Sequence, residues 1–152
     1  MAMQLDYRES NAAPTSPPQN PAFLAIHRNT ATNFFYEWNI GLQEWIAKPK
    51  VYRALLTQTG TNAPVATVLE NTLGGVPVWS YTNVGSYRLT LAGAFPTTKT
   101  IILPGTDAEN DGWYFMANAS GGNIVIVRTQ DGGNNQSNDL MNNSSITILV
   151  YP

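Results

Sequence analysis

The stretch VATVLENTLGGVPVWSYTNVGSYRLTLAGAF, Val65 to Phe95, reads as three strands in succession. Val65, Thr67 and Leu69 alternate with Ala66, Val68 and Glu70. Val76 and Val78 alternate with Trp79 and Tyr81. Tyr87, Leu89 and Leu91 alternate with Ser86, Arg88 and Thr90. Period-two alternation rich in Val, Thr and aromatic residues is the pattern of a half-buried strand. The breaks between the runs fit as well. Leu73-Gly74-Gly75 supplies positive φ at a turn, and Thr82-Asn83-Val84-Gly85 makes a short hairpin loop. No catalytic residue set falls inside these strands, so function must come from elsewhere.

Working outward, Val51 to Thr57 reads as the strand before them, with Gly60-Thr61-Asn62-Ala63-Pro64 as the turn between. Downstream, Lys99 to Leu103 is stopped by Pro104-Gly105. Trp113 to Ala117 and Ile124 to Thr129 flank the hairpin signal Ser120-Gly121-Gly122-Asn123. Asp131 to Asn143 is a Gly/Asn/Asp/Ser loop, and Ser145 to Tyr151 is the last strand. About eight short strands with short loops and no helix pattern predict an all-β domain over 51–152. The expected form is an antiparallel β-sandwich, jelly-roll-like.

The first fifty residues read differently. Pro14, Pro17, Pro18 and Pro21 sit among Ala, Asn, Ser and Gln, and residues 1–21 are expected to be an extended arm. Alone, such a segment buries too little apolar surface to offset its ordering entropy. It is expected to lie on a partner, with Phe23, Leu24 and Ile26 as apolar anchors. Residues 22–50 form an aromatic connector. Phe34, Tyr36, Trp38, Ile40 and Leu42 alternate with Phe35, Glu37, Asn39, Gly41 and Gln43, as in a strand. Phe35, Trp38, Leu42 and Trp45 also fall at helical spacing. Asn39 and Gly41 are poor helix formers and tilt the reading to strand.

Composition narrows the function classes. The chain of 152 residues suits one domain with a real core plus an arm. Charged residues are 12%, about half the usual share, and the net charge is -2. Scattered basic residues do not form the cluster that nucleic acid needs, so no nucleic-acid partner is expected. Asn and Thr occur 16 times each, and supply much of the polar surface. There is no Cys, which excludes disulfides and thiolate metal sites. MAMQLDYRES lacks the basic-then-apolar pattern of a signal peptide, and no apolar run has the length of a membrane span.

The motifs that suggest chemistry are thin. His27 is the one histidine, and no nucleophile elbow accompanies it. Asp107, Glu109, Asp111 and Gly112 are spaced like the opening of a calcium loop, but position twelve is Asn118 instead of Glu. The Asp131-Gly132-Gly133-Asn134-Asn135 loop reads as a flexible tip. Paired carboxylates run glycoside hydrolysis, yet Asp107, Glu109, Asp111, Asp131 and Asp139 all lie in turn-like stretches, where Asp serves backbone hydrogen bonds. Sequons at Asn118, Asn142 and Asn143 carry little weight without a secretory signal. Trp79, Tyr81, Trp113 and Tyr114 are candidates for a sugar-stacking platform, against the commoner role of strand aromatics as core. No catalytic residue, metal or cofactor is expected, and the chain reads as a non-enzyme.

The run Tyr52 to Phe95, with LLTQTGTNAPVATVLENTLG as its most specific part, resembles a β-rich module of virion proteins from tailed bacteriophages. Those phages infect Bacteroidetes-type bacteria and include the crAss-like phages. The ending SITILVYP is similar too. The resemblance covers roughly the last hundred residues. It implies a terminal domain of a head fibre, appendage or capsid decoration in the virion, assembled in the host cytoplasm and often trimeric, with no catalytic set. Together with the arm, it implies docking on other virion proteins through residues 1–50. Candidate docking residues are Pro14, Pro17, Pro18, Pro21, Phe23, Leu24, Ile26, Phe34, Phe35, Trp38 and Trp45. The alternative is a carbohydrate-binding module that attaches to a host surface glycan.

Overall fold

Alternation along the chain becomes twelve strands and no helix in the computed structural model, which describes residues 5–19, 24–105 and 114–152. The chain divides into two compact units, Met1–Lys50 with Tyr151–Pro152, and Val51–Val150.

The larger unit holds β5 (Lys50–Thr57), β6 (Val65–Asn71), β7 (Val78–Asn83), β8 (Ser86–Phe95), β9 (Thr100–Pro104), β10 (Tyr114–Ser120), β11 (Gly122–Gln130) and β12 (Ser144–Val150). They form two four-stranded sheets, ordered β6-β5-β12-β9 and β10-β11-β8-β7, in a sandwich-like all-β arrangement. The inner faces are the ones that alternation marks. Tyr87 and Leu89 on β8 are buried while Arg88 and Thr90 are exposed. Val125 and Val127 on β11 face the same core, joined by Tyr52, Ala54 and Leu56 from β5 and Ile146, Ile148 and Val150 from β12. Each fully buried large side chain contributes about 1.5–3 kcal/mol over its exposed state.

The edges depart from the alternation. β6 is an outermost strand, with a register shift opposite Arg53 and Ala54. Val65, Val68 and Leu69 are all exposed, so both faces of this strand meet solvent. An edge strand lacks a neighbour on one side, and alternation alone does not reveal that. Val76 is not in a strand. It precedes β7 in an exposed link, after the turn at Gly74 (φ 93°).

A buried amide joins the loops at one end of this unit. Gln58, only 3% exposed, uses both ends of its side chain. Nε2 donates to Gly60 O at 2.7 Å and to Asn62 O at 3.2 Å. Oε1 accepts from the Tyr87 hydroxyl at 2.8 Å and the Asp139 N–H at 2.9 Å. Asp139 Oδ1 in turn accepts the Gly60 N–H, and Asn138 Oδ1 accepts the Gly85 N–H at 2.8 Å. Gly85 is in the left-handed region (φ 57°), and a Cβ there would sit 2.6 Å from Ser137 N and Thr129 O. Burial pushes the Tyr87 hydroxyl above its ordinary range, so it stays a donor.

Over residues 5–10, the smaller unit corrects the expectation of an extended arm that lies on a partner. β1 (Leu5–Ser10) pairs in parallel with β2 (Leu24–Asn29), which pairs antiparallel with β3 (Phe34–Asn39), and β3 with β4 (Glu44–Lys48). Residues 5–10 are therefore part of a four-stranded sheet, and the connector is its other three strands. The long alternating run from Phe34 breaks at Ile40–Gln43. Asn39 Oδ1 accepts the Leu42 N–H at 2.9 Å, and Gln43 takes a positive φ of 56°. An Asx-type turn of this kind reverses the chain and makes two strands of one run.

Two substitutions test the larger unit. Gln58→Ala leaves the Asp139 N–H without its acceptor and the buried Tyr87 hydroxyl with only its longer bond to Asn138 Oδ1 at 3.3 Å, and should lower stability by about 1–3 kcal/mol in urea unfolding. Gly85→Ala adds backbone strain and a clash, and should cost about 3 kcal/mol in the same assay. Losses below about 0.5 kcal/mol in both would mean that this loop end is not a structural constraint.

Candidate interaction site in the N-terminal unit

Strand register sorts the small sheet into two faces. One carries Asp6, Arg8 and Ser10 of β1, Ala25, His27 and Asn29 of β2, Phe34, Tyr36 and Trp38 of β3, and Trp45 and Ala47 of β4. The other carries Leu5, Tyr7 and Glu9, Leu24, Ile26 and Arg28, Phe35 and Glu37, and Ile46 and Lys48.

The first face is covered. Ala25, His27, Asn29, Phe34 and Trp38 are buried. The Pro-rich connection after β1 is bonded across it, through its backbone carbonyls. Trp45 Nε1 donates to Ser16 O at 2.8 Å, and the Arg8 guanidinium reaches Pro17 O at 3.5 Å. His27 Nε2 lies 3.1 Å from both Ala12 O and Ser10 Oγ. The rings form a cluster. Trp38 meets Trp45 edge-on at 5.5 Å, and His27 meets Trp45 at 6.0 Å and Tyr36 at 6.2 Å. Trp38 Nε1 is buried without a hydrogen-bond partner among the described residues. Lys50 stacks over Phe34 at 4.6 Å and donates to Thr32 O. Its burial holds its pKa below the usual lysine range.

The Ser10–His27 approach is not the first half of a nucleophile pair. The Ser10 hydroxyl donates to Ala12 O at 2.9 Å, so Nε2 faces two oxygens and must donate to them. A general base would need a lone pair at that nitrogen. His27 is a buried tie between β2 and the Pro-rich connection.

The second face is open. Leu5 is 53% exposed, Tyr7 48%, Phe35 41% and Leu24 38%. Among them lie the ion pairs Arg28–Glu9 at 3.2 Å and Lys48–Glu37 at 2.7 Å, both half-exposed. Such pairs contribute little to stability. Tyr7 donates to Glu9 at 2.6 Å, which raises the phenol's pKa and lowers the carboxylate's.

The expected docking residues therefore separate. Leu24 and Phe35 stand on the open face with half-buried Ile26. Phe34 and Trp38 are buried within the sheet's covered face and are not available to a partner. Trp45 and Pro14 are half-buried, Pro17 is exposed and Pro18 is buried. Pro21 and Phe23 lie outside the described residues. Leu5 and Tyr7 were missed in the sequence because they sit in the segment read as arm, although their alternation with Asp6 and Arg8 was available as a signal.

Among the described residues, the other candidates do not come together as a site. Trp79 and Tyr81 share the inner face of β7. Trp79 Nε1 donates to the Tyr52 hydroxyl at 3.2 Å, and Tyr81 packs edge-on against Tyr87 at 6.0 Å. They line the sandwich interior and make no external platform. Trp113, the Tyr114 side chain, Asp107, Glu109 and Asp111 lie outside the described residues. Asp131 Oδ1 accepts the N–H groups of Gly133 and Asn135, both at 2.9 Å, so its carboxylate closes its own loop. Among the described residues no three His, Cys, Asp or Glu side chains gather as for a metal ion.

The Asp131 loop gives a pH prediction. The Asn135 amide, and after it the Gly133 amide, hold the carboxyl below the ordinary Asp value of 3.8. The fold thus favours the ionised form. Its contribution is present above the unfolded pKa and is lost as pH falls through the lowered folded value. The amide-proton shifts of Gly133 and Asn135 should titrate below the ordinary Asp midpoint in an NMR pH series. A midpoint at or above it would show that these bonds are absent in solution.

Comparisons of this chain with protein-family models, with curated proteins and with solved structures find no match.

Proposed function

We propose that this chain is a structural, non-catalytic virion protein of a tailed bacteriophage, a head fibre, decoration or small appendage, anchored through its first fifty residues. The observation that carries the reading is the open face of the N-terminal sheet. It presents Leu5, Tyr7, Leu24 and Phe35 to solvent in a chain that is otherwise poor in exposed charge. Apolar residues grouped on one face of a small separate unit suit protein docking. The resemblance over Tyr52–Phe95 supplies the virion context, and the all-β second unit suits a projecting module. The docking face mixes apolar residues with internally paired charges, so its grip depends weakly on salt.

The second unit contributes self-association, with three copies as the resemblance implies. The outer face of the β6-β5-β12-β9 sheet carries half-buried Leu55 and Leu149 and exposed Ile101 and Leu103. Light scattering of the purified chain should give a multiple of the single-chain mass, and Leu103→Lys should reduce it to one copy. A single-chain mass for the unaltered protein at micromolar concentration would remove this part of the reading.

Anchoring is tested on the virion. The double variant Tyr7→Glu/Phe35→Glu should keep the β-rich circular dichroism spectrum of the parent while its occupancy on particles falls at least about tenfold, the effect of roughly 1.4 kcal/mol. Normal occupancy of the double variant would sink the proposal that this face is the anchor.

A further inference from the structure

All charge on the β10-β11-β8-β7 sheet has one sign. Its four strands, YFMANAS, GNIVIVRTQ, SYRLTLAGAF and VWSYTN, contain no Asp, Glu or Lys. Their charged residues are Arg88 and Arg128. Each lies between buried neighbours, Tyr87 and Leu89 for the first, Val127 and Thr129 for the second, so both stand on the outer face. Arg88 is exposed and Arg128 is half-buried. Arg88 is paired with Ile126 and Arg128 with Ser86, which makes the two arginines diagonal neighbours on the middle strands. Diagonal positions lie about 7–8 Å apart, within reach of long side chains. Like charges at that spacing repel. The other arginines, Arg8, Arg28 and Arg53, each meet a carboxylate. Among the described residues Arg88 and Arg128 meet none.

We propose that this outer face binds an acidic polysaccharide, with Arg88 and Arg128 holding one sugar carboxylate between them. Charge complementarity selects the anion. The planar guanidinium fork fits the planar carboxylate, and an anion between the two arginines replaces their repulsion by charge-assisted hydrogen bonds. The surroundings select the sugar. Ser80, Ser86, Thr90, Asn118 and Ser120 share the outer face in the same cross-strand rows. Their hydroxyls and amide both donate and accept, as sugar hydroxyls do. Strands about 4.8 Å apart make a row about 14 Å wide, with room for more than one sugar ring. An acidic peptide fits less well. It brings main-chain groups that seek a ladder, and β8 and β11 already have a neighbour on each side. Nucleic acid carries a charge at every nucleotide and needs clustered cations, more than an arginine pair supplies. The inference stands on the larger unit alone and does not need the docking or virion reading.

The test is titration calorimetry of the full-length chain with polygalacturonate and with neutral dextran. Polygalacturonate should bind and dextran should not. Arg88→Gln and Arg128→Gln should each weaken binding at least about tenfold, as expected for losing a charged hydrogen-bond donor. Arg88→Lys should fall between parent and Arg88→Gln, since an ammonium keeps the charge and loses the fork. Arg53→Gln removes an arginine of the other sheet, ion-paired to Glu70, and should bind as the parent does. Circular dichroism checks that each variant keeps the parent fold. Failure of the parent to bind polygalacturonate, or parent-like binding by the Arg88→Gln/Arg128→Gln double variant, overturns the proposal. So does equal or tighter binding of dextran sulfate, poly-glutamate or single-stranded DNA, because the face would then hold anions without regard to the chain that carries them.

Discussion

The Gln58 side chain is the constraint on which the larger unit depends. A primary amide has two donors and an acceptor oxygen, and here all are used in a nearly dry site. The four partners come from three separated parts of the chain: the turn after β5, the middle of the opposite sheet, and the loop before β12. An apolar core tolerates small shifts of one sheet over the other. A buried amide with four fixed partners does not, because each slip strands a polar group. The network through Asn138, Asp139 and Gly85 extends that constraint to the loop end of the sandwich.

The small unit solves a different problem. Four short strands make a sheet with too little chain to build a second layer. One face is covered by the connection between its own first two strands. A parallel pair needs a crossover in any case, and here the crossover carries prolines in place of a helix. Its carbonyls accept from Trp45, Arg8 and His27, and its Pro18 is buried. Among the described residues the opposite face has no such cover, and the two faces of one sheet differ in exposure accordingly.

Most of the β-domain was legible in the sequence. Alternation of Tyr87 and Leu89 with Arg88 and Thr90 gave the inward face of β8, and glycine pairs gave the hairpin turns. What alternation does not encode is position within a sheet, so Val65, Val68 and Leu69 read as half-buried on a strand that turned out to be an exposed edge. The N-terminal unit was less legible. LDYRES is a short signal, its ladder partner lies beyond a proline-rich connection, and the bonds that fix that connection are made by main-chain carbonyls whose presence no residue type announces. Gln58 was invisible for a related reason: glutamine is usually a surface residue, and only the three-dimensional gathering of its partners makes it a core one.

The strand order of the larger unit has a consequence for how the chain reaches its fold. β5 and β12, the first and last strands of that unit, are neighbours in the middle of one sheet. About a hundred residues must therefore be synthesised before the central ladder of that sheet can close. Until then β6 and β5 form a hairpin with one side unpaired, and half the core has no floor. Such a high-separation contact slows folding. β12 acts as a completion check for this unit: without it the sheet is open at its centre, between β5 and β9, where the defect is hardest to hide.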